Sequence, residues 1–258
     1  MKDKLYTILQ KEADAKNSIY ELNYDRPDPL MVAKRYQDET IALICALFAY
    51  GNAKAIVKFL DGLDFELLDK DESTIKKALY KKVYRFQNSD DIVAIFLALK
   101  RLKYDYSIEE IVKRGYLRDG NILDGLWELI DTLHSYSNYD SKGFRFLIGT
   151  TPKSIKSAAP MKRYMMYFRW MVREDNLDMG LWNSIDKRDL IIPLDTHTHK
   201  VALKLGLLKR KSYNMQSAIE LTNQLKEYDE QDPVKYDFAL YRIGQESRLE
   251  KILKELNQ

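Results

Sequence analysis

The sequence predicts an all-α protein, and three observations carry that expectation. Glycine and proline are scarce, 10 and 6 of 258 residues, so there are few points at which a chain must turn sharply. Apolar residues recur at helical spacing in most segments, as in Ile92, Ile95, Phe96 and Leu99. The most β-branched stretch, Leu190-Ile191-Ile192-Pro193-Leu194, holds a proline where a central strand would need an amide, and it reads as a buried extended lead-in to a helix.

In chain order, an N-terminal helix is followed by a strongly apolar segment over 39–60, either one helix or two parted at Tyr50-Gly51-Asn52. Helical patterns then run over 90–101, 107–114, 122–135, 161–173, 196–205, 217–228 and 233–243, about ten helices in all by this reading. Asp195 has the chemistry of an N-cap for the helix that begins Thr196-His197-Thr198-His199, with Val201, Ala202 and Leu205 on its apolar face. Gly206 and Gly244 are read as C-terminal stops. No repeat or low-complexity tract interrupts the pattern.

A chain of this length with 45% hydrophobic residues can bury a full core without disulfides, in one domain or two small ones. Cys45 is its single cysteine and sits in the apolar run Ile41 to Phe48, so it reads as a buried small hydrophobe, and a four-cysteine iron–sulfur cluster is excluded. The N-terminal residues alternate charge with apolar side chains, unlike a signal peptide, and no segment approaches a membrane span, so the cytoplasm is the expected location. The net charge of +3 is small, but it is unevenly spread. Between 142 and 163 the ionisable side chains are Lys142, Arg145, Lys153, Lys156, Lys162 and Arg163 with no acid among them, and Lys200, Lys204, Lys209, Arg210 and Lys211 follow after an acidic spacer. Such stretches suit either ordinary solvated helix faces or a phosphate-binding surface.

Ile192-Pro193-Leu194-Asp195-Thr196-His197, followed by Lys200 to Gly206, resembles the segment of endonuclease III-like helix-hairpin-helix DNA glycosylases in which Val-Asp-Thr-His enters a helix. The resemblance implies that Asp195 is the carboxylate set beside the deoxyribose C1′, where it stabilises developing oxocarbenium charge. A cap can also be catalytic, so the two readings of Asp195 are compatible. In Ser157-Ala158-Ala159-Pro160-Met161-Lys162-Arg163, Lys162 occupies the place of the lysine nucleophile of the lyase-competent members, with Arg163 as the alternative register. The family's Gly-x-Gly turn is replaced by Ala158-Ala159-Pro160, a degenerate hairpin with one amide donor fewer. That turn, and the long polar insertion before Asp195, are more similar to the archaeal 8-oxoguanine glycosylases. Leu47-Phe48-Ala49-Tyr50-Gly51-Asn52 resembles the family's segment whose side chain fills the gap left by a flipped base, which would place Tyr50 there. The order Lys162-Arg163, then Arg169 to Arg173, then Ile191 to His197 also resembles an uncharacterised bacterial family grouped near these glycosylases.

The resemblance therefore implies a two-lobed, all-α glycosylase-like fold, with one lobe over 38–156 and a second formed by 1–37 and 157–258. The implied activity is excision of a damaged base, 8-oxoguanine first, through a Lys162 Schiff base assisted by Asp195, by a monomer acting on double-stranded DNA with no cofactor or metal. Lys142, Arg145, Lys153, Lys156, Arg163, His197, Lys200 and Lys204 are the residues expected at the DNA. Two rival readings stand beside it. One is a non-catalytic DNA- or partner-binding module on the same fold. The other is a metal-dependent hydrolase, because Asp195-Thr196-His197-Thr198-His199 also resembles the Asp-x-His-x-His of barrel hydrolases. That motif should open a barrel, however, and on a helix His197 and His199 point to different faces.

Overall fold

The computed structural model describes residues 2–257, which hold fourteen α-helices, five single-turn 3-10 segments and no strand among them. No described helix is long and apolar enough to cross a membrane. The chain divides into two compact units, Asn23–Thr151 and a discontinuous unit of Met1–Leu22 with Pro152–Gln258.

The continuous unit contains α2 (Leu30–Tyr36), α3 (Glu39–Leu47), α4 (Ala53–Asp61), α5 (Glu72–Leu79), α6 (Ser89–Asp105), α7 (Ile108–Asp119), α8 (Ile122–Ser135) and α9 (Lys142–Ile148). Every residue of α3 from Thr40 to Leu47 is buried, so this helix is apolar all round and forms the unit's centre, with Cys45 inert inside it. Burial pushes the Cys45 thiol far above its usual range. The 39–60 segment is two helices, because Asp38 and Asn52 each cap an N-terminus and Gly51, at φ +108, turns the chain between them. Helices α7 and α8 form a hairpin whose backbones touch. A Cβ on Gly115 would lie 2.3 Å from the Asp124 carbonyl oxygen, and one on Gly125 would lie 2.6 Å from that of Val112.

The discontinuous unit is built from α1 (Lys2–Lys16), α10 (Lys162–Val172), α11 (Thr196–Lys204), α12 (Met215–Lys226), α13 (Asp237–Gln245) and α14 (Leu249–Asn257). Helix α10 is its centre, buried from Tyr164 to Val172. Residues 174–189, polar by sequence, are not a solvated spacer. Leu177, Asp178, Met179, Trp182 and Ile185 are all buried, and the Met179 and Trp182 amides donate to Trp170 and Met171 carbonyls at 2.9 and 2.8 Å.

Two expectations need correction. Segment 23–37 belongs with the continuous unit, because Leu30, Val32 and Ala33 are buried against α3 and α4 and Arg35 pairs with Asp61 at 2.7 Å. At the other boundary, 152–156 joins the discontinuous unit, where Asn214 Nδ2 donates to the Lys156 carbonyl at 2.9 Å. Gly206, at φ +74, does close α11, but Gly244 is not a stop. It lies inside α13, where a Cβ would come within 3.0 Å of His197 Cβ and 3.1 Å of Val201 Cγ2, so its bare backbone lets α13 lie close on α11.

Candidate active site

Lys162 and Asp195 meet at the starts of two helices. Pro160 disfavours helical backbone at Ala159. Met161 then turns through φ +49, so α10 opens at Lys162 with no side chain capping it. Asp195 follows the buried extended run 190–194, whose Ile192 amide donates to Thr222 Oγ1 at 3.0 Å. Its two carboxylate oxygens divide the work. Oδ1 accepts the Thr198 amide at 2.7 Å and caps α11, while Oδ2 lies 3.3 Å from Lys162 Nζ. The Asp195 side chain is 12% exposed and that of Lys162 33%, so the pair is open to a ligand on the lysine side.

Two tyrosines stand beside the pair. The Tyr241 ring centre, on α13, is 5.6 Å from Lys162 Nζ. Tyr213, on the approach to α12, donates its hydroxyl to the Leu194 carbonyl at 3.0 Å and remains 43% exposed. Burial, then the charge of Asp195, raises its phenol above the usual tyrosine range, with Lys162 opposing. The edge of the Tyr213 ring meets the His199 ring with centres 5.7 Å apart, and His199 is buried with no partner on Nε2.

Beneath the pair lies a buried ionic floor. Arg169, seven residues after Lys162 and so on the same face of α10, donates to Asp178 at 3.2 and 3.1 Å and is paired with Asp237. Arg173 also binds Asp178 and reaches Asp232 at 2.8 Å. Burial raises the Asp237 carboxyl to about 6, although Arg169 and Lys162 pull the other way. A carboxyl whose folded value exceeds its unfolded value of about 3.9 favours folding below that value and loses this contribution as pH rises towards 6. Asp237→Asn should therefore flatten the dependence of urea-unfolding stability on pH between about 4 and 6. An unchanged slope would mean that Asp237 does not titrate there.

The other residues expected at DNA are scattered more widely. Arg163 is half-buried beside Tyr164, and Lys162 rather than Arg163 meets Asp195. Lys153, Lys156 and Lys200 are exposed on the discontinuous unit, as is Lys204, which pairs with Glu250 at 3.1 Å. Lys142 and Arg145 are exposed on α9 of the continuous unit, and Arg145 pairs with Asp140, an acid just outside the acid-free stretch. Pairs this exposed are worth at most about 1 kcal/mol and leave the cations available to phosphate. Tyr50 is not a bare wedge: it is half-buried, its hydroxyl donates to Gln87, and the exposed rings are its neighbours Phe86 and Phe146. His197 is exposed and His199 buried, and no group of three or more potential ligands is placed to hold a metal among the described residues. Sequence reasoning missed Tyr213, Asp237 and Tyr241. Only the i, i+4 spacing of the last two marks a shared helix face.

Comparisons with known proteins add a family but no activity. No curated protein and no solved structure matches the chain. Residues 28–246, which include both Lys162 and Asp195, match the family described as "Protein of unknown function (DUF2400)", and the chain belongs to that family.

Proposed function

We propose that the protein is a DNA glycosylase of the helix-hairpin-helix type with lyase activity, acting through Lys162 and Asp195 on a damaged base in double-stranded DNA. The observation that carries this reading is the 3.3 Å approach of an accessible lysine amine to a buried, cap-fixed carboxylate oxygen. With a sugar seated against the pair, the Asp195 charge is diverted from the ammonium to the developing positive charge at C1′. Lys162 gives up a proton to water and its neutral Nζ forms a bond to C1′. The glycosidic bond breaks with its electron pair going to the base, which is then protonated. Ring opening, with a further proton leaving Nζ and one taken up by O4′, yields a Schiff base, and loss of a C2′ proton lets β-elimination expel the 3′ phosphate. An oxidised purine, 8-oxoguanine first, is the proposed substrate.

The test is excision by the full chain across duplexes bearing oxidised, alkylated and deaminated bases. Excision of at least one is expected. It should fall by about 100-fold or more in Asp195→Asn, which keeps a capping oxygen but removes the charge. Wild-type rates in a folded Asp195→Asn, or no excision of any lesion, would overturn the reading. A non-catalytic binder is favoured by one observation, the glycine-free turn at 158–160 with its missing proline amide. Lesion binding without excision would establish it.

A further inference from the structure

The continuous unit carries an exposed aromatic and cationic tip that the proposed chemistry does not use. Tyr84 and Gln87 pair across a two-residue turn, amide to carbonyl at 3.1 and 2.9 Å in the two directions. Both are buried. Tyr84 donates its hydroxyl to the Tyr50 carbonyl at 2.6 Å, and Gln87 receives the Tyr50 hydroxyl. The turn is therefore anchored from below. Its two tip residues, Arg85 and Phe86, are exposed, Phe86 by 56%.

Arg85 holds φ +55, a region where glycine or asparagine is the usual occupant of such a tip, so the chain retains an arginine at some backbone strain. Its guanidinium lies 5.6 Å from the Tyr50 ring centre and against Gly51, where a Cβ would lie 2.2 Å from Nη1. Phe146 of α9, 42% exposed, meets Phe86 edge to face with centres 4.7 Å apart. The two rings packed edge to face form one exposed apolar patch, a surface that a partner can cover.

Charge narrows the partner. Residues 80–87 hold Lys81, Lys82 and Arg85 without an acid, and Lys142 shares the exposed side of α9 with Phe146. Rings that can stack, carried on a turn with Arg85 and a helix with Lys142, fit a phosphodiester strand with an unstacked base, because every base offers a π-face and its backbone is anionic. A fully paired duplex hides those faces. We propose that the Phe86–Phe146 tip stacks on an unpaired nucleobase while Arg85 and Lys142 hold the flanking phosphates. The inference rests on the nucleic-acid part of the preceding reading and not on its chemistry. Neither phenylalanine can hydrogen-bond a base edge, so the contact is indifferent to which base is present.

The test uses the full chain and a fluorescent 2-aminopurine placed beside a tetrahydrofuran abasic analogue in a duplex, with an intact duplex as control. Wild-type protein should change the 2-aminopurine emission. Phe86→Ala and Phe146→Ala should each weaken binding to the abasic duplex by about tenfold. Affinity for the intact duplex should stay within about twofold. Both side chains are exposed, and equal melting temperatures check that the variants fold. Phe86→Leu should fail like alanine and Phe86→Tyr should restore binding, since a base needs a flat ring. Rescue by leucine would indicate an apolar protein surface as the partner and overturn the proposal, as would equal losses on both duplexes. Phe-dependent stacking without excision of any lesion would sustain this inference and sink the glycosylase reading. Excision with unimpaired Phe86→Ala and Phe146→Ala binding would do the reverse.

Discussion

On the proposed lyase reading, borohydride is expected to trap a covalent adduct between this protein and lesion-bearing DNA, and Lys162→Gln is expected to abolish it. Schiff base formation requires a primary amine, and among the described side chains only that of Lys162 is ion-paired with Asp195. Glutamine keeps comparable length and polarity but cannot form an imine. Asp195 still caps α11 through its other oxygen, so the fold is retained. Trapping should fall from the dominant product to background, while binding to the lesion duplex remains. Persistence of the adduct in Lys162→Gln would move the nucleophile to another amine. Excision by the wild type with no adduct at all would assign the attack to water, with Asp195 as the charged partner.

The second large effect concerns stability. Arg169→Met should cost about 3–5 kcal/mol, because it removes the guanidinium that neutralises Asp237 and shares Asp178 with Arg173. Arg169 is 3% exposed and also lies 4.8 Å from the Phe238 ring centre, so water cannot replace it. Against a typical stability of about 5–15 kcal/mol this is a large fraction. Asp237 can relieve part of the loss by taking up a proton, since its carboxyl already sits near 6, so the cost should be greater at pH 8 than at pH 5. Adding Asp237→Asn to Arg169→Met should recover part of it. Urea unfolding of the two variants at both pH values checks this, and an Arg169→Met protein as stable as wild type would show that the network is not needed to hold α10.

The helical class and most helices were legible because their signals are local. Apolar spacing marked α6, α8 and α10, and Asp195 reads as a cap from its side chain and the apolar face that follows. Short helices were harder. Helices α2 and α9 have seven residues each and α5 has eight, too few for a period to stand out. Gly244 was misread because its role is set by α11, a helix distant in sequence that it lies against. The burial within 174–189 was not legible for a related reason: Asp178 is polar, yet it is buried because it pairs with Arg169 and Arg173. In the candidate site, Lys162 and Asp195 were legible from motif resemblance. Tyr213 and Tyr241 were not, since nothing along the chain tells which of 18 tyrosines folds back beside them.

The divided carboxylate of Asp195 also shapes how this site would drift over generations. Asparagine, serine and threonine can each close the first turn of α11, so folding alone asks for a capping oxygen and not for a negative charge. Only the partnership with Lys162 asks for the charge. In a lineage whose lysine has changed to an uncharged residue, the aspartate is released to become any of the three other caps without harm to the fold. The two positions should therefore change together across relatives, the lysine first and the aspartate after it.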